Sequence, residues 1–231
     1  MVLAAGVGAR MGADLNKVYL PLAGRRVVSW SLEAFSRVPE IGVLVLVVRP
    51  EDTTLVESVL DRELGGVPVE VVHGGATRQE SELRALHRLA GRIDGGTVDI
   101  VLLHDAARPL VSPTLIAGVL HAAREHGGAI PGLPAEDIVA VGGDGAVVRD
   151  QSLEGAIRVQ TPQGFRAPEL LEAYEQAARE GFLGTDTSSC MERYSSLPVR
   201  WVRGEEHNFK ITYPHDLSVA EHFLAASAYR S

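Results

Sequence analysis

Three cations, one carboxylate and two glycine turns stand where an anionic ligand could be held. Gly6 and Gly8 lie in Ala4-Ala5-Gly6-Val7-Gly8-Ala9-Arg10, directly after the apolar pair Val2-Leu3. A glycine turn lets backbone N–H groups approach a phosphate with no Cβ in the way, and Arg10 and Lys17 add positive charge just beyond it. Alone, a Gly-x-Gly turn is equally a plain strand–turn–helix junction, so the other residues decide. A second turn, Gly74-Gly75-Ala76-Thr77-Arg78-Gln79, carries Arg78 with Ser81 close behind; His104-Asp105-Ala106-Ala107-Arg108-Pro109 ends an apolar run; Lys210 follows Asn208-Phe209. Phosphoryl or nucleotidyl transfer asks little covalent help of a protein and needs positioning plus cations on the transition-state charge, which Arg10, Lys17 and Lys210 can supply. Asp105 offers a site for Mg²⁺, which binds through one or two carboxylates together with the substrate's phosphates. His104 is a possible general base; beside an aspartate at a strand end, it is read as structural.

Rival chemistries fit less well. A dinucleotide fingerprint wants a third glycine, where this chain has Met11, and an acidic residue at the end of the second strand. The second strong apolar run instead stops at Arg49-Pro50, too far along the chain. A nucleophilic hydrolase would show a G-x-S-x-G elbow, but Ser81 follows Glu80 rather than sitting between glycines. Zinc-site spacings are absent as well.

The elements that must position these residues follow from apolar periodicity. A near-continuous apolar run at 41–48 reads as a strand buried on both faces, 98–103 as another apolar strand, and 67–72 and 129–134 as further strands. Residues 1–5 make a short first strand, either as it stands or because the natural start lies upstream. Helical spacing marks 27–35, 51–64, 81–93 and 114–126, and 18–24 reads as a brief extended stretch. Strands alternating with helices predict a doubly wound, mostly parallel α/β sheet, a single domain over residues 1–231. In such sheets the site lies beyond the carboxyl ends of the strands, and the loops at 4–10, 74–81 and 104–109 all fall there. The rhythm breaks at Ile138, where two short β segments over 138–148 flank Gly142-Gly143-Asp144-Gly145, a hairpin signal. This predicts a protruding β-hairpin arm at about 138–158. The chain returns through Thr161-Pro162-Gln163-Gly164-Phe165, and a helix at 168–179, a strand at 199–202 and a helix at 214–226 complete it.

Composition narrows the function classes. Apolar residues make up 45% and charged residues 23%, with a formal net charge of −8 and no long Lys/Arg run, so a nucleic-acid footprint is not supported. A local cationic pocket can still bind an anion on an acidic protein. The one cysteine, Cys190, allows no intramolecular disulfide; it suits a cytoplasmic setting and reads as a small buried hydrophobe. No signal-peptide pattern opens the chain and no apolar run is long enough to span a bilayer, so no membrane association is expected.

Taken together, Leu3-Ala4-Ala5-Gly6 with Gly8, Arg10-Met11 and Lys17, Gly74-Gly75 with Thr77-Arg78-Gln79 and Ser81, the stretch from His104 to Pro109, Thr161 to Phe165, and Asn208 with Lys210-Ile211-Thr212 and Asp216-Leu217 resemble the 2-C-methyl-D-erythritol 4-phosphate cytidylyltransferases of the non-mevalonate isoprenoid pathway. The motifs occur in the family's order over nearly the whole chain. The resemblance implies a Rossmann-like nucleotidyltransferase, with a polyol 4-phosphate oxygen attacking the α-phosphate of CTP, pyrophosphate leaving and Mg²⁺ required. It implies Arg10 and Lys17 on the transition-state charge, and Ala4, Ala5, Gly6, Val7 and Gly8 cradling the triphosphate. Gly75, Arg78 and Ser81 would hold cytosine and ribose, with Ala106 nearby. Asp105 would serve the metal and the acceptor, while Thr161 and Lys210 hold the acceptor phosphate, Lys210 placing it for in-line attack. It also implies a homodimer in which the arm crosses to the partner's site.

Departures from the family pattern cluster on the acceptor side. Ile138 and Ala140 stand where a hydroxyl and a cation are usual, Leu153 stands in place of an arm arginine, and Thr187 replaces an acidic residue. Arg149 and Arg158 are candidates to substitute for that arginine. Asn16 precedes Lys17 where the family has proline. Nucleotide-side motifs are intact. The expectation is therefore methylerythritol phosphate as acceptor, with another polyol phosphate such as ribitol 5-phosphate, or a non-catalytic CTP-binding homologue, as alternatives.

Overall fold

The computed structural model describes residues 1–6, 16–135, 138–141, 143, 146–148, 155–184 and 187–228. In chain order the elements are β1 (Val2–Leu3), a 3₁₀ turn (Lys17–Tyr19), β2 (Pro21–Leu22), β3 (Arg25–Arg26), α1 (Val27–Ser36), β4 (Val45–Val48), α2 (Thr53–Glu63), β5 (Glu70–His73), α3 (Arg78–Asp94), β6 (Ile100–Asp105), α4 (Pro113–His126) and β7 (Gly128–Pro134). They continue as β8 (Ala140–Val141), β9 (Val147–Val148), β10 (Ile157–Val159), β11 (Gln163–Arg166), α5 (Ala167–Glu180), α6 (Thr187–Tyr194), β12 (Val199–Arg203) and α7 (Pro214–Ala228).

Apolar runs fix the sheet. β5, β4, β1 and β6 lie side by side and parallel, and β11 runs antiparallel between β6 and β7. β12 pairs parallel with β7. β10 pairs with the end of β7 and β11 with its beginning, the two being joined through a cis Thr161–Pro162 bond. Successive side chains of a strand point to opposite faces, and β4 uses both. Leu46 and Val48 join the layer containing Val28, Val56 and Ile116, while Val45 and Val47 join the layer containing Leu86, Leu170 and Tyr174. Helices thus cover both faces, as expected of a parallel sheet built from near-continuous apolar strands.

The doubly wound, mostly parallel sheet agrees with the sequence reading, and several details differ. The run at 41–48 forms a strand only over Val45–Val48. The stretch at 18–24 is a 3₁₀ turn followed by a tight hairpin of β2 and β3, whose corner residues Ala23 and Gly24 both have positive φ. α3 starts at Arg78, three residues earlier than its apolar periodicity, because the Thr77 side chain accepts from the Glu80 N–H and caps it. β11 and α6 carry too little apolar pattern to be read in advance. β11 is buried by its place between β6 and β7, so close that a Cβ on Gly164 would lie 2.7 Å from the Leu102 side chain.

Beyond β7 the two short strands β8 and β9 pair antiparallel, Ala140 opposite Val148 and Val141 opposite Val147, in a ribbon separate from the main sheet. This matches the expected hairpin in its strands, but the arm ends short of 158, because Ile157–Val159 pairs with β7 in the main sheet; Gly142, Asp144 and Gly145 of its expected turn lie outside the described residues. No helix among the described residues is long and apolar enough to cross a membrane.

Candidate functional site

The carboxyl ends of β1, β5 and β6 open onto one cavity of about 460 Å³, within the range of small-molecule sites. β1 brings Ala4, Ala5 and Gly6 to its wall, and the turn after Asn16 brings Lys17. The opposite wall is Gly75, Arg78 and Ser81; Asp105 and Lys210 close the floor. The structure therefore gathers the expected residues of four separate segments into one place. Val7, Gly8 and Arg10 lie outside the described residues, as do Arg149 and Leu153.

Each wall is held by local chemistry. Asn16 is buried, and its side-chain amide donates to the Ala4 carbonyl at 2.7 Å, tying the Lys17 turn to the end of β1. Its φ of −58° is one a proline ring would also adopt. The second glycine turn is shaped from α3. The Ser81 hydroxyl donates to the Thr77 carbonyl and accepts from the Gly75 N–H, and Glu80 accepts from the Ala76 N–H. A Cβ on Gly74 would meet Ser81 and Ala5 inside 3 Å, so only glycine lets this turn approach β1.

Lys210 is pinned on both sides. The amide of buried Asn208 donates to the Thr161 carbonyl at 2.9 Å, and the Ile211 N–H donates to the Ala107 carbonyl at 2.8 Å. Arg108 donates to the Asn208 carbonyl at 2.8 Å, so the strand-end arginine braces the lysine segment.

Asp105 is the electrostatic centre. Arg78 Nη1 donates to its Oδ1 at 2.6 Å and Lys210 Nζ to its Oδ2 at 2.8 Å, with Arg108 Nε 3.9 Å away. Burial pushes this carboxyl up, but Arg78, Lys210 and Arg108 outweigh it and hold it well below the usual carboxylate range. Behind it, His104 is fully buried, and desolvation pushes its pKa down to about 3. Its proton sits on Nε2, because that nitrogen lies 3.2 Å from the Arg108 carbonyl, which can only accept. Nδ1 then accepts from the Thr161 hydroxyl at 3.0 Å, and the same hydroxyl oxygen accepts from the Asp105 N–H at 3.0 Å. A neutral imidazole with both nitrogens engaged is a structural group, as read from the sequence.

Thr161 and Ala106 do not line the cavity. Thr161 has spent its one hydroxyl proton on His104, so its role runs through the backbone of Asp105. Ala106 is fully buried and donates its N–H to the Leu3 carbonyl. Cys190 is buried, free and pushed up to about 11 by burial, an inert thiol as expected. Arg158 lies exposed on β10.

The sequence reading missed Glu82. It is 1% exposed, and its carboxylate accepts from Arg78 Nε at 2.9 Å, the Tyr174 hydroxyl at 2.6 Å and the Thr187 hydroxyl at 3.2 Å. The signal was present: 82, 85, 86, 89 and 93 form the buried stripe of α3, and an acid on such a stripe requires a partner.

A metal would have Asp105 as its protein ligand here. Groups of three or more acidic, histidine or cysteine ligands are absent among the described residues. A lone cavity-facing carboxylate suits Mg²⁺, which takes much of its coordination from substrate phosphates and water.

The model of the 2-C-methyl-D-erythritol 4-phosphate cytidylyltransferase family matches residues 1–226. A Geobacter metallireducens protein of that name is 39% identical over 225 residues, 97% of this chain and 96% of the relative. One from Cereibacter sphaeroides is 41% identical over 231 residues, 99% and 97% of the two chains. Among solved structures, 4-diphosphocytidyl-2C-methyl-D-erythritol synthase from Anaerococcus prevotii superposes with a TM-score of 0.83 at 28% identity, covering 97% of this chain and 96% of that one. The cytidylyltransferase from Thermus thermophilus gives 0.72 at 33%, covering 97% of each.

Proposed function

The chain belongs to the 2-C-methyl-D-erythritol 4-phosphate cytidylyltransferase family, and from that premise we propose how its residues carry the reaction. The enzyme transfers the cytidylyl group of CTP to 2-C-methyl-D-erythritol 4-phosphate in isoprenoid precursor biosynthesis. A phosphate oxygen of the acceptor forms a bond to the α-phosphorus of CTP, and the bond to pyrophosphate breaks. Because a phosphate monoester is largely ionised at neutral pH, the nucleophile needs no general base. That agrees with a buried neutral His104 and with a cavity lined by cations.

In this reading the backbone of residues 4–8 cradles the triphosphate, and Arg10 and Lys17 stabilise the charge that develops between the α-phosphate and the leaving pyrophosphate. Gly75, Arg78 and Ser81 hold the nucleoside, and Lys210 places the acceptor phosphate. Asp105 would hold Mg²⁺, which when bound would neutralise phosphate charge. Thr161 fixes Asp105 through its backbone N–H. Supporting these roles is the convergence of Lys17, Arg78, Asp105 and Lys210, distant in sequence, on one cavity.

A homodimer joined through the β-arm and cytoplasmic residence complete the proposal. The arm carries Ile138, Val139 and Val141 exposed on its surface, apolar side chains that a second copy would cover. Release of pyrophosphate from CTP with a panel of polyol phosphates tests the function. Release with methylerythritol 4-phosphate well above the other acceptors is expected. CTP binding without release for any acceptor would overturn the catalytic reading, and preference for ribitol 5-phosphate would overturn the acceptor.

A further inference from the structure

Arg78 spans two carboxylates of different kinds. Nη1 meets Asp105, which faces the cavity and is also held by Lys210; Nε meets Glu82, which is 1% exposed and does not line the cavity. Glu82 itself is fixed by elements on the far side of α3, with Tyr174 of α5 on one oxygen and Thr187 of α6 on the other. A buried carboxylate stripped of such partners would be strongly destabilising. With Arg78, Tyr174 and Thr187 donating to it, it is a rigid anchor. We propose that Glu82 is a positioning residue for the nucleotide site, holding the Arg78 guanidinium in place independently of Asp105.

The physical case rests on what happens to Asp105 when phosphates arrive. Arg78 and Asp105 both face the cavity, so incoming phosphates compete with the carboxylate for Arg78 Nη1. Arg78 then loses a stable partner on one side. Its bond to Glu82 lies behind the wall, out of reach of ligand, and does not change. The arginine keeps one orientation in the empty and loaded enzyme and is ready for the nucleoside without rearrangement, the preorganisation that favours binding. The groups facing Glu82 are Arg78 on its own helix, Tyr174 and Cys190 from α5 and α6, Thr187, and Asp105 across the cavity floor. Gln79, next to Arg78, donates to the Phe182 carbonyl and accepts from the Gly184 N–H, so the segment leading to α6 is clipped to the same turn of α3. Through Glu82 the α5–α6 layer reaches the nucleotide site.

The inference rests on Arg78 contacting the nucleoside, and a double-mutant cycle separates the two ideas. Steady-state kinetics with CTP and acceptor varied separately would compare Glu82→Gln, Arg78→Ala, the double variant and Tyr174→Phe. Glu82→Gln keeps the side chain's shape and removes its charge. It is expected to raise KM for CTP about tenfold, the scale of one charge-assisted hydrogen bond, with the acceptor KM unchanged. Adding it to Arg78→Ala should raise KM no further, because Glu82 acts through Arg78. Tyr174→Phe, which removes one donor and keeps the ring, should give a smaller rise of the same kind and serves if Glu82→Gln fails to fold. Wild-type KM for CTP in a folded Glu82→Gln, or equal rises in both KM values, overturns the proposal. If Arg78→Ala also leaves CTP binding unchanged, the nucleoside role of Arg78 fails instead, and the proposal with it.

Discussion

At the scale of single residues, the site divides into groups aimed at ligand and groups that aim them. Lys17 belongs to the first. In its proposed role it stabilises charge that builds up only in the transition state, so Lys17→Ala should lower kcat by about a hundredfold or more while KM for CTP changes little. Near-wild-type turnover in that variant would remove Lys17 from the mechanism, and the same measurement on Arg10→Ala tests its neighbour. His104 belongs to the second group. Its folded pKa of about 3 lies below an unfolded value of about 6.5. As pH falls through that window, the unfolded chain takes up a proton that the folded one does not, so stability is lost. Urea unfolding from pH 7 to pH 4 should therefore show a shallower pH slope for His104→Asn than for the natural chain, and equal slopes would show that His104 titrates normally. Much of this site was legible in the sequence, because glycine turns and strand-end charges are rare enough to stand out. Glu82 was overlooked, since an acid four residues after an arginine looks like a solvent-exposed helical pair, although its place on the apolar stripe of α3 marked it. Thr161 could be seen but not its direction, which depends on a bond to His104 57 residues away.

Among the elements, the start of α3 matters most, because its first turn carries Arg78 and Ser81. Thr77 caps it by accepting from Glu80 N–H at 3.0 Å, while the Glu80 carboxylate reaches back to the Ala76 N–H at 2.8 Å. This is a variant of the reciprocal capping arrangement. Thr77→Ala should cost about 1 kcal/mol of stability and also raise KM for CTP, since a frayed first turn loosens the glycine loop; Thr77→Ser should leave both nearly unchanged. A stability loss with unaltered KM would show that loop and cap are uncoupled. The same helix shows why sequence reading falls short at boundaries. Periodicity located its buried stripe from Ser81 onward, but a cap is a hydrogen bond, and apolar spacing does not record it. β4 and β6 were legible because they are apolar runs buried on both faces. β11 owes its burial to neighbours that come from elsewhere in the chain, and its own four residues do not announce it.

For the whole molecule, the arm poses the remaining physical question. A two-stranded ribbon is marginal by itself in water, and β8 and β9 pair over two residues each. Val139 is 65% exposed and Val141 57%, so the ribbon shows apolar surface where an isolated arm would favour polar residues. In the proposed homodimer a second copy of the chain would cover it, and the arm would reach the neighbour's acceptor site. Replacing residues 140–148 with a short Gly-Ser turn should therefore shift the solution mass from twice 24.7 kDa to that of a single shortened chain. If the partner's arm helps to enclose the acceptor, KM for the acceptor should rise, while CTP binding measured at equilibrium stays the same. A natural chain that sediments at 24.7 kDa would end the dimer proposal. A shortened chain that remains dimeric would place the interface elsewhere. If the mass halves while acceptor kinetics hold, the arm joins two self-sufficient sites, and the apolar Ile138 and Ala140 have no acceptor contact to make.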